Sequence, residues 1–180
     1  MRQKISLLGF NSALGQFWIA ATEGGLCRVS LKAGNEDEKT SRQRMLVALE
    51  RRFGAVEILP DYSALAPAVR YLERYIATPL KAGRYDRPLD PGGTDFQRRI
   101  WDVLLGIPAG STRSYGEVAA LAGSPLGARA AGAACGANPL LIIVPCHRVI
   151  GSDRSLTGFG GGLELKRKLL DAEKAQFAVS

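Results

Sequence analysis

Eight of the ten residues at 128–137 are alanine or glycine, and this run limits the fold more than any other stretch of the chain. A helix here carries almost no side-chain bulk, and its glycines, Gly132 and Gly136, each weaken it by about 1 kcal/mol relative to alanine. Something outside the helix has to account for it. One explanation is close packing against a neighbouring helix. Another is a rod thin enough to enter a groove that larger side chains would block. The two can hold on opposite faces.

The flanking segments give the run a context. Ser114-Tyr115-Gly116-Glu117 fits a capping box, in which a hydroxyl and a carboxylate satisfy free N–H groups at a helix start. It predicts a helix through about Leu121. Gly123-Ser124-Pro125-Leu126-Gly127 breaks that helix before the small-residue helix begins near Ala128. Helix, short glycine-containing turn, helix is the helix-turn-helix arrangement. Thr94-Asp95-Phe96-Gln97 is a second capping box and opens a helix through Leu105.

The first half has a different texture. Strand-like segments at 5–9, 16–22 and 26–31, separated by turn residues at 11–15 and 23–25, predict a small antiparallel sheet. Met45, Leu46, Leu49 and Phe53 recur at helical spacing, predicting a helix over 41–53 with Gly54 as its stop. Arg42, Arg44, Arg51 and Arg52 on that helix read as a solvated face. A strand at 56–59 and a helix over 65–76 follow. Residues 78–93 are rich in proline and glycine, which places a domain boundary near residue 90, between a first domain at 1–90 and a second at 91–180.

An apolar run at 140–144 delivers Pro145-Cys146-His147-Arg148, which sets a thiol beside the only histidine in 180 residues. The attacking form of cysteine is the thiolate, and an imidazole or cation is the usual means of generating it near neutral pH. The plain alternative is a buried cysteine beside a surface histidine. The run reads as a buried strand, and consecutive side chains in an extended segment point in opposite directions. On that reading Cys146 and His147 do not touch, and a bridging water is the natural relay, with His147 as general base. Arg148 reads as a structural residue paired with a carboxylate.

Composition excludes several classes. Cys27, Cys135 and Cys146 are too widely spaced for a disulfide or zinc pattern, and a lone histidine cannot build a multi-histidine site, so neither metal nor cofactor is expected. No apolar run approaches the roughly 20 residues of a membrane-spanning helix. The N-terminus leads straight into a strand-like segment rather than a signal core, so a cytoplasmic protein is expected. The net charge of +7 suits a polyanionic partner and equally suits a merely basic protein.

Five ordered motifs decide among these readings. They are Pro145 to Val149, Arg129-Ala130-Ala131-Gly132, Asn138-Pro139, Leu156-Thr157-Gly158-Phe159-Gly160-Gly161-Gly162, and the N-terminal pair Leu14-Gly15 and Gly24-Gly25-Leu26. Together they resemble the 6-O-alkylguanine-DNA alkyltransferases, most closely the bacterial standalone type. The resemblance implies an α/β (α+β) protein. Its ribonuclease-H-like N-terminal domain is joined to a mostly helical, winged-helix-like domain that carries the helix-turn-helix. It implies a monomer, able to cluster along DNA, that binds double-stranded DNA through the minor groove and flips an alkylated guanine out of the stack. The alkyl group of 6-O-methylguanine, and of 4-O-methylthymine, would pass irreversibly to Cys146, because a thioether has no easy route back.

The same resemblance assigns roles. Arg129 would fill the space left by the flipped base, with Ala128, Ala130, Gly132 and Ala133 along the groove. Tyr115 would turn the backbone phosphate and give a proton to the departing guanine. His147 would act with Glu173, on the last helix from Leu163 to about Ala175, while Asn138 orders the turn before the active segment. The Val149 carbonyl, Gly160 and Phe159 would form the base pocket. Phe159 replaces a tyrosine common among relatives, and Arg154 stands where relatives have glycine, which puts the local turn in question. The alternatives are a damage-binding protein without chemistry, a helix-turn-helix regulator and a cysteine hydrolase. Retention of Cys146 weighs against the first.

Overall fold

The computed structural model describes residues 2–174. Its first half holds strands β1 (Gln3–Ser12), β2 (Gly15–Thr22), β3 (Gly25–Leu31) and β4 (Val56–Leu59), with helices α1 (Glu38–Phe53) and α2 (Ala66–Ala77). The sheet order is β3-β2-β1-β4, with antiparallel pairing except between β1 and β4, which run parallel. The expected antiparallel sheet of β1, β2 and β3 forms, and β4 joins it as a parallel edge strand. The α1 crossover returns the chain to the starting end of β1, so β4 can only pair parallel. β1 and β2 extend beyond their expected ends because they continue as a hairpin to the Ser12–Gly15 pair.

Alternation along the strands loads both faces of the sheet. Ile5, Leu7, Trp18, Ala20 and Cys27 pack against Met45 and Leu49 of α1. Phe17, Ile19, Ala21, Leu26 and Val29 face the other way, onto Tyr71 and Tyr75 of α2 and onto the second half of the chain. Helix α1 starts earlier than its apolar period suggests, because the Asp37 carboxylate caps it by accepting from Thr40 N at 2.9 Å. Ser41 lies buried inside α1, accepting from Trp18 Nε1 at 3.1 Å. Gly54 ends α1 with φ 73°, the left-handed conformation expected of its stop.

The second half contains α3 (Asp95–Leu105), a short parallel pair β5 (Arg113–Ser114) and β6 (Val149–Ile150), α4 (Tyr115–Leu121), α5 (Ala128–Gly136) and α6 (Leu163–Ala172). Both capping boxes form as read, with Thr94 and Gln97 at α3 and Ser114 and Glu117 at α4. Ala131 and Ala134 of α5 are buried, and Trp101 Nε1 of α3 donates to the Ala134 carbonyl at 2.9 Å. An indole reaching a helix's own carbonyl is possible only where the side chains between the helices are very small. One face of the alanine-glycine helix is therefore explained by packing. No helix among the described residues is long and apolar enough to cross a membrane.

One glycine is indispensable to this joinery. Gly25, at φ 132°, starts β3, where the carbonyl of Pro88 accepts from Leu26 N at 3.0 Å. A Cβ at position 25 would lie 2.3 Å from that carbonyl oxygen. Gly25→Ala is expected to destabilise the protein by about 2–4 kcal/mol, combining backbone strain with a steric clash. An unchanged urea midpoint would contradict the packing described here.

Candidate active site

The apolar run at 140–144 is not a strand. Asn138 folds it into a loop: its Oδ1 accepts from Leu140 N at 2.9 Å, and its Nδ2 donates to the Val144 carbonyl at 2.9 Å. Only isolated bridges form, Val29 with Leu140 and Leu141 with Val144. Ile142 takes φ 69°, a region that β-branched residues rarely enter. The periodicity correctly signalled burial. It missed the loop because a short apolar run looks the same whether a ladder or a side chain satisfies its backbone.

The loop leads into a 3₁₀ turn, Cys146–Arg148, so the expected opposition of neighbouring side chains on a strand does not apply. Asn138 Nδ2 also lies 3.1 Å from Cys146 Sγ. Cys146 is buried, and burial pushes its thiol above the ordinary range despite that hydrogen bond. The resting sulfur is therefore a thiol that needs a base before it can attack.

Directly behind the turn is a buried charge network. His147 is fully enclosed, with Nε2 3.0 Å from Glu173 Oε1. Arg148 donates through Nε to Glu173 Oε2 at 3.0 Å and through Nη2 to Oε1 at 2.7 Å, and its Nη1 reaches the Ile107 carbonyl at 2.5 Å. Gly110 N lies 3.3 Å from Oε2, and the Tyr75 hydroxyl of α2 lies 2.6 Å from Oε1. Burial alone would raise the Glu173 pKa, but the hydrogen bonds and charges of His147 and Arg148 hold it at about 2. Burial lowers that of His147, which is therefore neutral at physiological pH. Its Nδ1 is the one buried side-chain nitrogen or oxygen without a hydrogen-bond partner among the described residues.

A second buried cation holds the opposite wall. Lys166 of α6 is fully enclosed and donates to the Val149 carbonyl at 2.6 Å and to the Thr157 carbonyl at 2.7 Å. Burial pulls its amine down to about 8. The Val149 carbonyl, expected to receive a base, already has one donor, and its second lone pair is what remains for a ligand. Tyr115 Oη is 3.2 Å from the Thr157 carbonyl, so Lys166 and Tyr115 grip the same loop residue.

An open cavity of about 730 Å³ lies beside this wall, lined by Tyr115, Ala128, Arg129, Gly132, Phe159 and Gly160 among others. Cys146 does not line it, but the Phe159 ring stands edge-on to the His147 ring at 6.3 Å, joining cavity to network. On α5, Ala128, Arg129, Ala130 and Ala133 are exposed, opposite the packed Ala131, Ala134 and Cys135. Packing explains only half of the missing bulk. Arg154 occupies φ 68°, the conformation a glycine would take without strain, and the turn closes around it through Arg154 N to the Gly151 carbonyl at 3.0 Å. The arginine is accommodated at a cost of about 1–2 kcal/mol.

The structure thus gathers Cys146, His147, Glu173 and Asn138 into one cluster, and Tyr115, Arg129, Phe159 and Gly160 around one cavity. Glu173 follows α6 as its C-cap, one residue after the helix ends and short of the expected end near Ala175, which lies outside the described residues. The sequence reading missed Tyr75 and Lys166. Lys166 had a signal, since it falls in the stripe of Leu165, Leu169 and Leu170, where a charge on the buried face calls for partners. Tyr75 had none, being one more aromatic on an amphipathic helix. Among the described residues, no group of three His, Cys, Asp or Glu side chains could hold a metal ion.

Both halves of the chain match models of one known family. Residues 8–84 match the ribonuclease-like domain of 6-O-methylguanine DNA methyltransferase, and residues 95–175 match its DNA-binding domain. The chain belongs to the 6-O-methylguanine DNA methyltransferase family. A methylated-DNA–protein-cysteine methyltransferase of Mycobacterium bovis is 54% identical over 117 residues, 65% of this chain and 70% of that one. Its namesake in Methanosarcina acetivorans is 40% identical over 164 residues, 91% and 95% of the two chains. The crystal structure of Mycobacterium tuberculosis OGT in complex with DNA is 39% identical and superposes with a TM-score of 0.74 over 95% of this chain and 92% of that one. Of the network residues, only Tyr75 lies in the match to the family's ribonuclease-like domain.

The network makes the fold acid-sensitive in a defined window. Glu173 is held at about 2 when folded and returns to the ordinary glutamate value near 4.3 when unfolded. Its contribution is full above roughly pH 5 and is lost as pH falls through about 2. His147 is shifted down by burial, so the unfolded chain takes up that proton first below about pH 6.5, which adds to the loss in acid. Glu173→Gln should be less stable at neutral pH and show a shallower decline between about pH 5 and 2. Equal slopes in denaturant midpoints measured against pH would remove Glu173 from this role.

Proposed function

We propose that the protein is a DNA repair alkyltransferase that takes the alkyl group from an alkylated guanine in duplex DNA onto Cys146, once per molecule. The observation that carries this reading is the state of the chain's only histidine: Nε2 is engaged by a buried carboxylate, and Nδ1 has no partner, on the residue that directly follows a protonated thiol. The relatives named above as methylated-DNA–protein-cysteine methyltransferases, and the neighbour crystallised with DNA, support the same conclusion.

On this reading the exposed small-residue face of α5 lies in the minor groove, where the lack of bulk lets the rod approach. Arg129, at the start of α5 and at the cavity rim, fills the gap in the stack as the damaged nucleotide turns into the cavity, against Phe159 and Gly160. The base amino group meets the free lone pair of the Val149 carbonyl. The Cys146 thiol proton passes through a bridging water to His147 Nδ1, and Glu173 stabilises the resulting imidazolium. The thiolate attacks the alkyl carbon, forming the S–C bond as the C–O6 bond breaks. The guanine leaves with a proton from Tyr115. The thioether offers no leaving group that water could displace, so the protein is consumed. 4-O-methylthymine is a second substrate of the same geometry. A domain boundary near residue 90 belongs to this proposal, supported by the two family matches falling on either side of it.

Incubation with excess methylated duplex should give one methyl adduct per protein, located at Cys146 by mass spectrometry, and Cys146→Ser should bind DNA without accepting the group. Sustained turnover would exclude the single-use reaction, and binding without any adduct would favour a damage-binding protein. The groove assignment is tested separately. Ala133→Gln adds bulk to an exposed helical site, so stability should change by less than about 0.5 kcal/mol. Affinity for duplex DNA should nevertheless fall by at least about tenfold. Undiminished affinity would take α5 out of the groove.

A further inference from the structure

Tyr75 reaches the catalytic cluster from α2, in the other half of the chain. Its side chain is almost fully enclosed, and its hydroxyl lies 2.6 Å from Glu173 Oε1 and 3.1 Å from His147 Nε2. Burial, followed by the charge of Glu173, pushes the phenol well above its ordinary range, so it keeps its proton. That single proton has one good destination, the carboxylate at the shorter distance. The phenol oxygen therefore turns its lone pairs toward Nε2.

His147 Nε2 thus faces two oxygens, and both are acceptors toward it. A protonated Nε2 satisfies that environment, whereas a bare Nε2 would set its lone pair against a carboxylate and a phenol lone pair. Glu173 alone is a poor guardian of this choice, because Oε1 also receives Arg148 through Nη2 at 2.7 Å and Nε at 3.2 Å. Four donors compete for one oxygen that has two lone pairs. The phenol supplies the second acceptor and a wall for the ring, with the Tyr75 and His147 planes inclined at 68° and their centroids 6.1 Å apart. Phe159 stands edge-on to the same imidazole. Burial, with the charges of Arg148 and Lys166, keeps the ring neutral against the pull of Glu173, so its tautomer is the quantity that matters.

We propose that Tyr75 is a positioning residue for alkyl transfer: it locks His147 in the Nε2–H tautomer and leaves Nδ1 as the base, so the N-terminal half of the chain completes the catalytic relay. This inference rests on His147 acting as the base for Cys146.

His147 is the only histidine, so the ¹⁵N spectrum of histidine-labelled protein reports one ring without assignment. Wild-type protein near pH 7.5 should show a protonated Nε2 and a bare Nδ1. In Tyr75→Phe the second tautomer should become populated, and methyl transfer should slow about tenfold, a part of the ~10²–10⁴ that a positioned base supplies. Affinity for methylated duplex should stay within about twofold. Tyr71→Phe removes a hydroxyl one turn earlier on α2, hydrogen-bonded among the described residues only to the Gly83 carbonyl at 3.4 Å, and should match wild type in both readouts.

A wild-type ring protonated at Nδ1 overturns the proposal, as does a Tyr75→Phe variant with either readout unchanged. If that variant fails to fold, 3-fluorotyrosine at position 75 keeps the hydroxyl but makes it more acidic. It must then shift the His147 resonances, and unmoved resonances overturn the proposal. Wild-type protein with the Nε2–H tautomer but no adduct at Cys146 overturns the functional reading together with this role, whereas an unchanged Tyr75→Phe overturns this role alone.

Discussion

The buried carboxylate of Glu173 is the constraint around which the second half of the molecule is built. A charge removed from water costs several kcal/mol unless it is paired and hydrogen-bonded. Here Arg148, His147, Tyr75 and Gly110 supply the partners, drawn from the active turn, from α2 and from the segment after α3. Each partner must be in place before the carboxylate is comfortable, so the network ties together elements that no local propensity would join. The same bonds orient the histidine beside Cys146. On the proposed function, stability and chemistry share one set of contacts, and losing one donor affects both.

The helix α5 shows how one composition answers two demands. Its inner face must be small because α3 comes close enough for Trp101 to bond a helix carbonyl. Its outer face is small although Ala128, Ala130 and Ala133 stand exposed there. Alanine is the better helix former, so propensity does not ask for lysine or glutamate there, but an ordinary surface helix carries such charges on its solvent face. The omission makes sense if a second molecule has to approach closely. The exposed arginine at the start of the helix, beside the cavity, supplies the charge and planar reach that the rest of the face lacks.

Strain is concentrated near the chemistry. Ile142 and Arg154 both occupy left-handed backbone conformations, one in the loop before Cys146 and the other in the turn after β6. Such conformations persist only where the surroundings over-determine them. At Ile142 the Asn138 side chain bonds both ends of the loop, which leaves the intervening residues no extended alternative. At Arg154 the Asp153 carboxylate accepts from Ser155 N at 3.0 Å and closes the turn regardless of the residue at the corner.

Local signals in the sequence carried the helices, both capping boxes, the helix-turn-helix break and the Cys146-His147 pair, because each depends on residues a few positions apart. Motif order along the chain was enough to indicate the family and to single out Glu173 and Asn138. Tertiary structure alone decided that β4 pairs parallel, that the run before Cys146 is a loop and that Tyr75 and Lys166 belong to the site. Parallel pairing follows from the path of the crossover. The loop follows from one amide side chain bonding both ends of the run, while only its first residues reach the sheet edge at Val29. Tyr75 meets His147 72 residues away, a distance across which no periodicity survives. Only packing, by excluding water from both partners at once, brings an ordinary core tyrosine onto the His147–Glu173 pair.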